Sequence, residues 1–394
     1  MKLKIALGLV AACALVLAVA ASSMAAKQKS SPAPYVIGNI TSETGTFGSS
    51  DGAGAIGMEA WAKYVNAHGG INGHKVKLEV KDDQGLPNVA ISDVKAFAAQ
   101  KNVLAIVGNV SSEIGTFAPV ASALKLPIVG EFPFTPVSYT VKYDFPQGTT
   151  FPSILYGQVY SAIKTGHAKK IGLYYCAEES ACAGSVPAVK AAASSLGGSM
   201  VDSQAVPYTA PNYDSVCQAA KNAGVQSMVM ALGVGTIISV AESCASIGYH
   251  PSYVVQTTAL EPAEGAVPAM NNHTYGVTET FPWGAHATPA QRQFQAGIKA
   301  ANVPSKDKGA ALSLGWTGGA LFAAAMENVT GPASRSALVK ALWHLPKGDT
   351  LGGLAPPLTF KANAPSPQQK CFFVETLVNG KWKAPYGAKT FCQP

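Results

Sequence analysis

Four short runs carry residue types and spacings that do chemistry in other proteins. Gly48-Ser49-Ser50-Asp51-Gly52 has the GxSxG spacing of a nucleophile elbow, which would make Ser50 an acyl-transfer nucleophile. That elbow needs a strand directly before the serine, with an acid and a histidine later in the chain. Here the run lies inside a Gly/Ser-rich loop, so spacing alone does not specify a hydrolase. Gly52-Ala53-Gly54-Ala55-Ile56-Gly57 has the GxGxxG spacing of a dinucleotide fingerprint, yet at least eleven residues part it from the preceding apolar run. A fingerprint requires a tight strand-turn-helix, so this run reads as a helix entry. Gly233-Val234-Gly235 follows an apolar run directly, but Ile238 stands where a third glycine belongs. The fourth run, Gly108-Asn109-Val110-Ser111-Ser112-Glu113, joins a β-branched run to a helical one. Ser112 is a natural N-cap, and the free N–H groups beyond it could hold a carboxylate or simply be capped by the serine. Glu113, at the positive helix end, would compete with an anionic ligand. His68, His74, His167, His250, His273, His286 and His344 show neither HExxH nor ligand spacing, His68 and His74 read as exposed loop residues, and no P-loop occurs.

The elements that must position these residues alternate. An apolar run at 35–40 leads through a loop to a helix at 53–67, where Ile56, Ala60, Tyr64 and Ala67 recur at helical spacing. A strand at 75–81, helix 87–100, strand 103–107, helix 115–124 and strand 127–130 follow. After a Pro- and aromatic-rich stretch at 131–152 the pattern restarts: helix 154–165, strand 170–175, helix 182–196, strand 199–205, helix 213–223, strand 226–231, helix 235–247, strand 252–256. Repeated β-α-β implies parallel sheets covered on both faces. The last third predicts helices at 289–301, 309–328 and 334–343, then a strand pair over 371–384 turning at Asn379-Gly380. These helices have too few strands of their own and must complete the first two α/β units.

The first 26 residues carry an address. Met1-Lys2-Leu3-Lys4 precedes a 17-residue apolar run and then Ser22-Ser23-Met24-Ala25-Ala26, a secretory signal cut after Ala25 or Ala26. A retained anchor is the competing reading, at the short limit for spanning, and Val10-Ala11-Ala12-Cys13 allows lipidation of Cys13. The alternative to an anchor is a soluble exported chain of about 368 residues, with 27–34 as a flexible linker. The whole chain has 13% charged and 48% hydrophobic residues and a net charge of +7, which excludes disorder and is too mild to imply nucleic acid.

Without Cys13, six cysteines remain in an exported chain, so disulfides are expected rather than metal binding. Six cysteines allow 15 pairings. The element map favours the sequential set: Cys217 with Cys244 on consecutive helices of one sheet face, Cys371 with Cys392 around the final hairpin, and Cys176 with Cys182 in one loop. That last loop lies at the carboxyl end of a strand, where open α/β sheets bind ligands, which puts Cys182 among the candidate site residues.

Thr44-Gly45-Thr46-Phe47, the run Asn66-Ala67-His68-Gly69-Gly70-Ile71-Asn72-Gly73-His74-Lys75, Asp82-Asp83, Gly108 to Ser112 and Leu126-Pro127-Ile128-Val129 together resemble the type I periplasmic binding proteins of the leucine/isoleucine/valine-binding group, which feed ABC importers. The resemblance implies two doubly wound α/β lobes joined by three hinge crossovers, with residues 35–152 plus 282–352 as lobe 1 and 153–281 plus 353–394 as lobe 2. It further implies a non-enzymatic monomer without cofactor or metal, a small-molecule ligand trapped between the lobes, and a membrane permease as partner. By the same resemblance Thr46, Phe47, Asn109, Ser111 and Ser112 grip the ligand, with Glu131, Phe132 and Phe134 in the neighbouring loop and Gly233, Val234, Thr257 and Thr258 on the second lobe. Amino-acid binders carry small residues in the loop where this chain has Phe132 and Phe134, and often a Tyr and an acid where it has glycines and threonines. A more apolar or aromatic molecule, such as a carboxylate, is therefore expected beside the amino-acid reading, with Phe47, Phe117, Phe132 and Phe134 as walls. A sensor of the same fold reporting to a membrane receptor, and a secreted hydrolase using Ser50, are the competing functions.

Overall fold

The computed structural model describes residues 32–133, 135–178 and 183–394. The signal segment 1–26, Cys13, most of the linker 27–34, Phe134 and Cys182 lie outside the described residues. The chain runs β1 (Tyr35–Thr41), α1 (Ala53–Ala67), β2 (Val76–Asp82), α2 (Pro87–Ala99), β3 (Val103–Asn109), α3 (Ile114–Ala123), β4 (Ile128–Glu131) and β5 (Asp144–Phe145). It continues with α4 (Phe151–Tyr160), extended by a π turn at Ser161–Thr165, then β6 (Lys170–Cys176), α5 (Val186–Ser195), β7 (Ser199–Val206), α6 (Asp214–Ala223), β8 (Ser227–Ala231), α7 (Val234–Ser246), β9 (Ser252–Gln256) and β10 (Thr274–Thr278). Helices α8 (Pro289–Ala300), α9 (Ala310–Met326) and α10 (Arg335–Trp343) precede β11 (Cys371–Val378), β12 (Lys381–Lys383) and β13 (Phe391–Cys392).

These strands form two sheets within one compact unit, Pro34–Pro394. The first has the order β2-β1-β3-β4-β5 and is parallel throughout. Strands β1 and β3 are buried along their whole length, as parallel strands covered on both faces must be. Helices α2 and α3 cover one face through Val94, Phe97 and Phe117, while α1, α8 and α9 cover the other through Trp61, Phe294 and Phe322. The second sheet runs β12-β11-β10-β9-β8-β6-β7, with β11 antiparallel to β10 and β13 paired to β11. Its two faces are packed by α4 with α5 and by α6 with α7. Strand β10 was not legible as a period; its neighbours on both sides are short 3₁₀ turns and loops, and it is defined by pairing with β9 and β11.

The late helices return to the first sheet, and α9 does so by close approach. A Cβ on Gly315 would lie 2.1 Å from the Gly54 carbonyl oxygen, and one on Gly318 would lie 2.4 Å from the Gly108 Cα. Only glycine lets the α9 backbone sit against α1 and against the ends of β3 and β4. Apart from Ala320, Ala323 and Ala324 the helix is buried all round. The same packing rearranges the expected core face of α1: Met58 and Trp61 are buried while Ala67 is exposed, because α1 is pressed between the sheet and α9.

Two disulfides join described residues, Cys217–Cys244 and Cys371–Cys392. Cys176 is also disulfide-bonded, and its expected partner, Cys182, lies outside the described residues. No helix among the described residues is long and apolar enough to cross a membrane.

Two outcomes follow. Alanine at Gly318 should stabilise an isolated helix by about 1 kcal/mol; here overpacking against the Gly108 backbone should instead lower stability by about 1–3 kcal/mol in urea unfolding. Replacing both Cys217 and Cys244 by serine, which removes a bridge 27 residues apart in sequence, should lower stability by about 2–4 kcal/mol, read from the same denaturation curves.

Candidate functional site

A partly open cavity is lined by residues from both sheets. On the first side, β1 leads through a loop into a single helical turn at Gly48–Asp51, which presents Phe47, Ser50 and Asp51. The ends of β3 and β4 are locked to that loop. The Asn39 amide donates to the Val107 and Gly108 carbonyls at 2.9 and 3.0 Å, the Ser42 N–H donates to Val110 O at 3.1 Å, and the Phe132 N–H donates to Asn109 O at 3.0 Å. This places Ser112 and Phe132 on the cavity wall. On the second side the wall is made by residues that end or follow parallel strands: Cys176 after β6, Tyr208 after β7, Ala231, Leu232 and Gly233 after β8, and Gln256 and Thr258 after β9. Phe151 at the start of α4 and Ser185 before α5 complete it. Carboxyl ends of parallel strands are where open α/β sheets bind ligands. Across the gap the Phe47 and Tyr208 rings meet edge to face, 6.3 Å apart at 85°.

Of the residues expected at a site, Phe47, Ser112, Phe132, Gly233 and Thr258 line the cavity. Others sit elsewhere. Thr46 is exposed to solvent. Asn109 is fully buried opposite Glu131 in the β3–β4 register. Ser111 is buried, donates to the Asp83 carboxylate, and accepts the Glu113 N–H at 3.0 Å. Ser111 rather than Ser112 therefore supplies the hydroxyl at the start of α3, which begins at Ile114 with Glu113 as N-cap. Val234 belongs to the core of the second sheet. Thr257 is buried and donates to Val277 O at 3.4 Å. Phe117 lies under α2 and α3 in the core, away from the cavity wall. Asp51, Phe151, Cys176, Ser185, Tyr208, Leu232 and Gln256 were not picked out as cavity residues. Most of them end or follow a strand, so reading every parallel strand's last residues would have found them; Asp51, on a turn of a Gly/Ser loop, gives no such signal.

The two glycine motifs find structural explanations. A Cβ on Gly54 would lie 2.4 Å from Val110, and one on Gly57 would lie 2.3 Å from Leu312 O, so GxGxxG marks the α1–α9 contact and not a nucleotide loop. Ser50 occupies a helical turn rather than a strand-to-helix elbow, and no histidine is among the described residues that line the cavity. Six of the histidines are exposed, whereas His74, expected to be exposed, is half-buried and stacked 4.4 Å from Tyr35.

Among the described residues the cavity wall is acidic and carries no base. Asp51 is 3% exposed, and burial, then the nearby Asp83 charge, hold its carboxyl well above the usual carboxylate range. No Lys, Arg or His is among the lining residues. Behind Phe132, Glu131 and Asp144 are buried, and burial pushes both up; Asp144 adds to the effect on Glu131. Together with Glu279, pushed up to about 8 by burial, they surround Tyr139, whose hydroxyl donates to Gly148 O at 3.0 Å. No group of three or more such side chains among the described residues could hold a metal ion.

The sequence matches the periplasmic binding protein family over residues 34–381. The chain belongs to that family. The fold is that of the type I periplasmic binding proteins, a family of solute binders rather than catalysts. No curated protein matches the chain in sequence. Among solved structures, this binding protein is similar to a branched-chain amino acid ABC transporter protein from Thermus thermophilus with bound valine, at TM-score 0.77 and 14% identity over 92% of this chain and 97% of that one. It is similar to a fatty acid ABC transporter substrate-binding protein from Thermomonospora curvata, at TM-score 0.72 and 19% identity over 92% and 95%. A substrate-binding periplasmic protein from Ralstonia solanacearum matches at TM-score 0.73 and 17% identity over 87% and 97%.

The buried acids set a pH dependence for this binding protein. Glu279 and Glu375 are both pushed up to about 8 by burial, from an unfolded value near 4.5. Between those values the folded state holds protons that the unfolded chain has lost, so stability is fully present below about pH 4.5 and falls as pH rises through 8. The melting temperature should drop by several degrees between pH 5 and pH 8.5, and Glu279→Gln should flatten the drop. A melting temperature that rises over that range would contradict these assignments.

Proposed function

We propose that this protein is the exported solute-binding component of an ABC importer, closing over one small, largely apolar organic molecule and presenting the closed form to a membrane permease. The observation that carries this reading is the cavity walled by Phe47 and Phe132 from one sheet and by Tyr208 and Leu232 from the other. A ligand there touches both halves at once, so its binding energy favours the closed form that a permease can recognise. In this reading residues 35–152 plus 282–352 form one lobe and 153–281 plus 353–394 the other. The packing of α9 on β3 and β4 supports the first grouping, and the pairing of β11 with β10 supports the second. Valine and fatty acid, named for two structural relatives, both carry apolar chains.

The test is a thermal-shift and calorimetric screen of the processed protein against branched amino acids, aromatic amines and acids, and polyols. Ligands with a large apolar part should raise the melting temperature by mass action. Phe47→Ala and Tyr208→Ala, from facing walls, should each weaken the best ligand about tenfold, or about 1.4 kcal/mol, while Ser50→Ala should uncover no ester turnover lost from the parent. Stabilisation by polyols alone would overturn the apolar reading, and turnover that depends on Ser50 would overturn the binding reading.

A further inference from the structure

Among the described residues the cavity wall is rich in acceptors and lacks cations. Asp51 is buried against it with no hydrogen bond or ion pair to its carboxylate among the described residues, and the charge that acts on it is that of another acid, Asp83, just after β2. The Asp83 carboxylate already accepts the Ser42 and Ser111 hydroxyls and the Gly85 N–H. Across the cavity the Gln256 side-chain oxygen is also buried without a partner. Around these acceptors stand the Phe47, Phe132 and Tyr208 rings. The adjoining pocket behind Ser50 holds Glu43, Glu261 and Asp307 with Lys306 and Lys308, and both lysines lie outside the cavity wall.

A carboxylate ligand would find no cation among the described lining residues to balance its charge in a desolvated space. Just before α3, the Glu113 N–H is taken by Ser111 and the Ser112 N–H points to Ser42 at 3.4 Å. A protonated amine fits on three counts: a buried carboxylate as counterion, an amide oxygen as second acceptor, and aromatic faces that attract a cation. We infer that the ligand is an apolar or aromatic amine whose ammonium group is held by Asp51, with Gln256 as a second acceptor. This rests on the cavity being the ligand site, and it narrows the polar end of the ligand from a carboxylate to a cation.

Three probes on one skeleton test it: 2-phenylethylamine, 2-phenylethanol and 3-phenylpropanoate, titrated calorimetrically into the parent and Asp51→Asn. The amine should bind at least tenfold tighter than the alcohol and the carboxylate. Asn at position 51 should erase that advantage and leave the alcohol within about twofold. The parent alone gives a second readout, independent of how the variant folds. Forming the ammonium–carboxylate pair ionises Asp51, so amine binding in mildly acidic buffer should release protons, seen as a heat that changes with the buffer's ionisation enthalpy. Tightest binding by the carboxylate, an unchanged amine affinity in the variant, or amine binding without proton release would each overturn the inference. If the alcohol or carboxylate binds and Phe47→Ala weakens it, the cavity stands as the ligand site and only the amine falls. Binding by none of the three would overturn both.

Discussion

The seam of α9 against α1 and the ends of β3 and β4 is the constraint on which the rest of the structure depends. It is a backbone-to-backbone approach, permitted by Gly54, Gly57, Gly315 and Gly318, and it lets one helix from late in the chain seal the face of a sheet built from the first 145 residues. The same helix also reaches the other half. The Ala310 N–H donates to Leu260 O at 3.0 Å, and Ser313 Oγ lies 3.3 Å from Thr280 Oγ1. Strand ends from both sheets therefore meet around one cavity because a single rigid helix is referenced to each of them.

That arrangement explains how a chain with 13% charged residues can still place several acids in its interior. Glu131, Asp144, Glu264, Glu279 and Glu375 are all buried, with carboxyls held up by burial, and they can lie there because the neutral form costs far less to desolvate than the charged one. Asp51 belongs to the same electrostatic class but faces the cavity, so it can be ionised by an incoming cation as the interior acids cannot. Binding and protonation are then coupled at one residue, while the remaining buried acids couple protonation to folding.

Much of the architecture was legible because parallel α/β units repeat two simple periods. Strand β1, helix α1 and strand β9 fall within a residue of the spacing-based reading, and the cysteines on consecutive helices pair as their side-by-side placement requires. What sequence reading lost was local competition. Ser112 looked like the cap of α3, but the helix starts later, with Glu113 as N-cap, and the buried Asp83 draws the Ser111 hydroxyl inward beside the Glu113 N–H. The glycines of GxGxxG looked like ligand chemistry, but they answer to a partner helix more than 250 residues away in sequence. Phe47, Phe132 and Gly233 could be placed near a site from strand ends and resemblance, whereas Asp51 could not, since its burial depends on how Asp83 and the facing sheet close around a Gly/Ser loop.

The central claim is that one ligand is held jointly by the strand ends of both sheets. Hydrogen exchange measured with and without a compound that raises the melting temperature tests it most directly, because backbone protection reports which segments become ordered by binding. The account predicts that amides at 47–51 and 110–113 from the first sheet and at 206–208, 231–234 and 256–258 from the second slow together. Protection confined to one of these groups would contradict it.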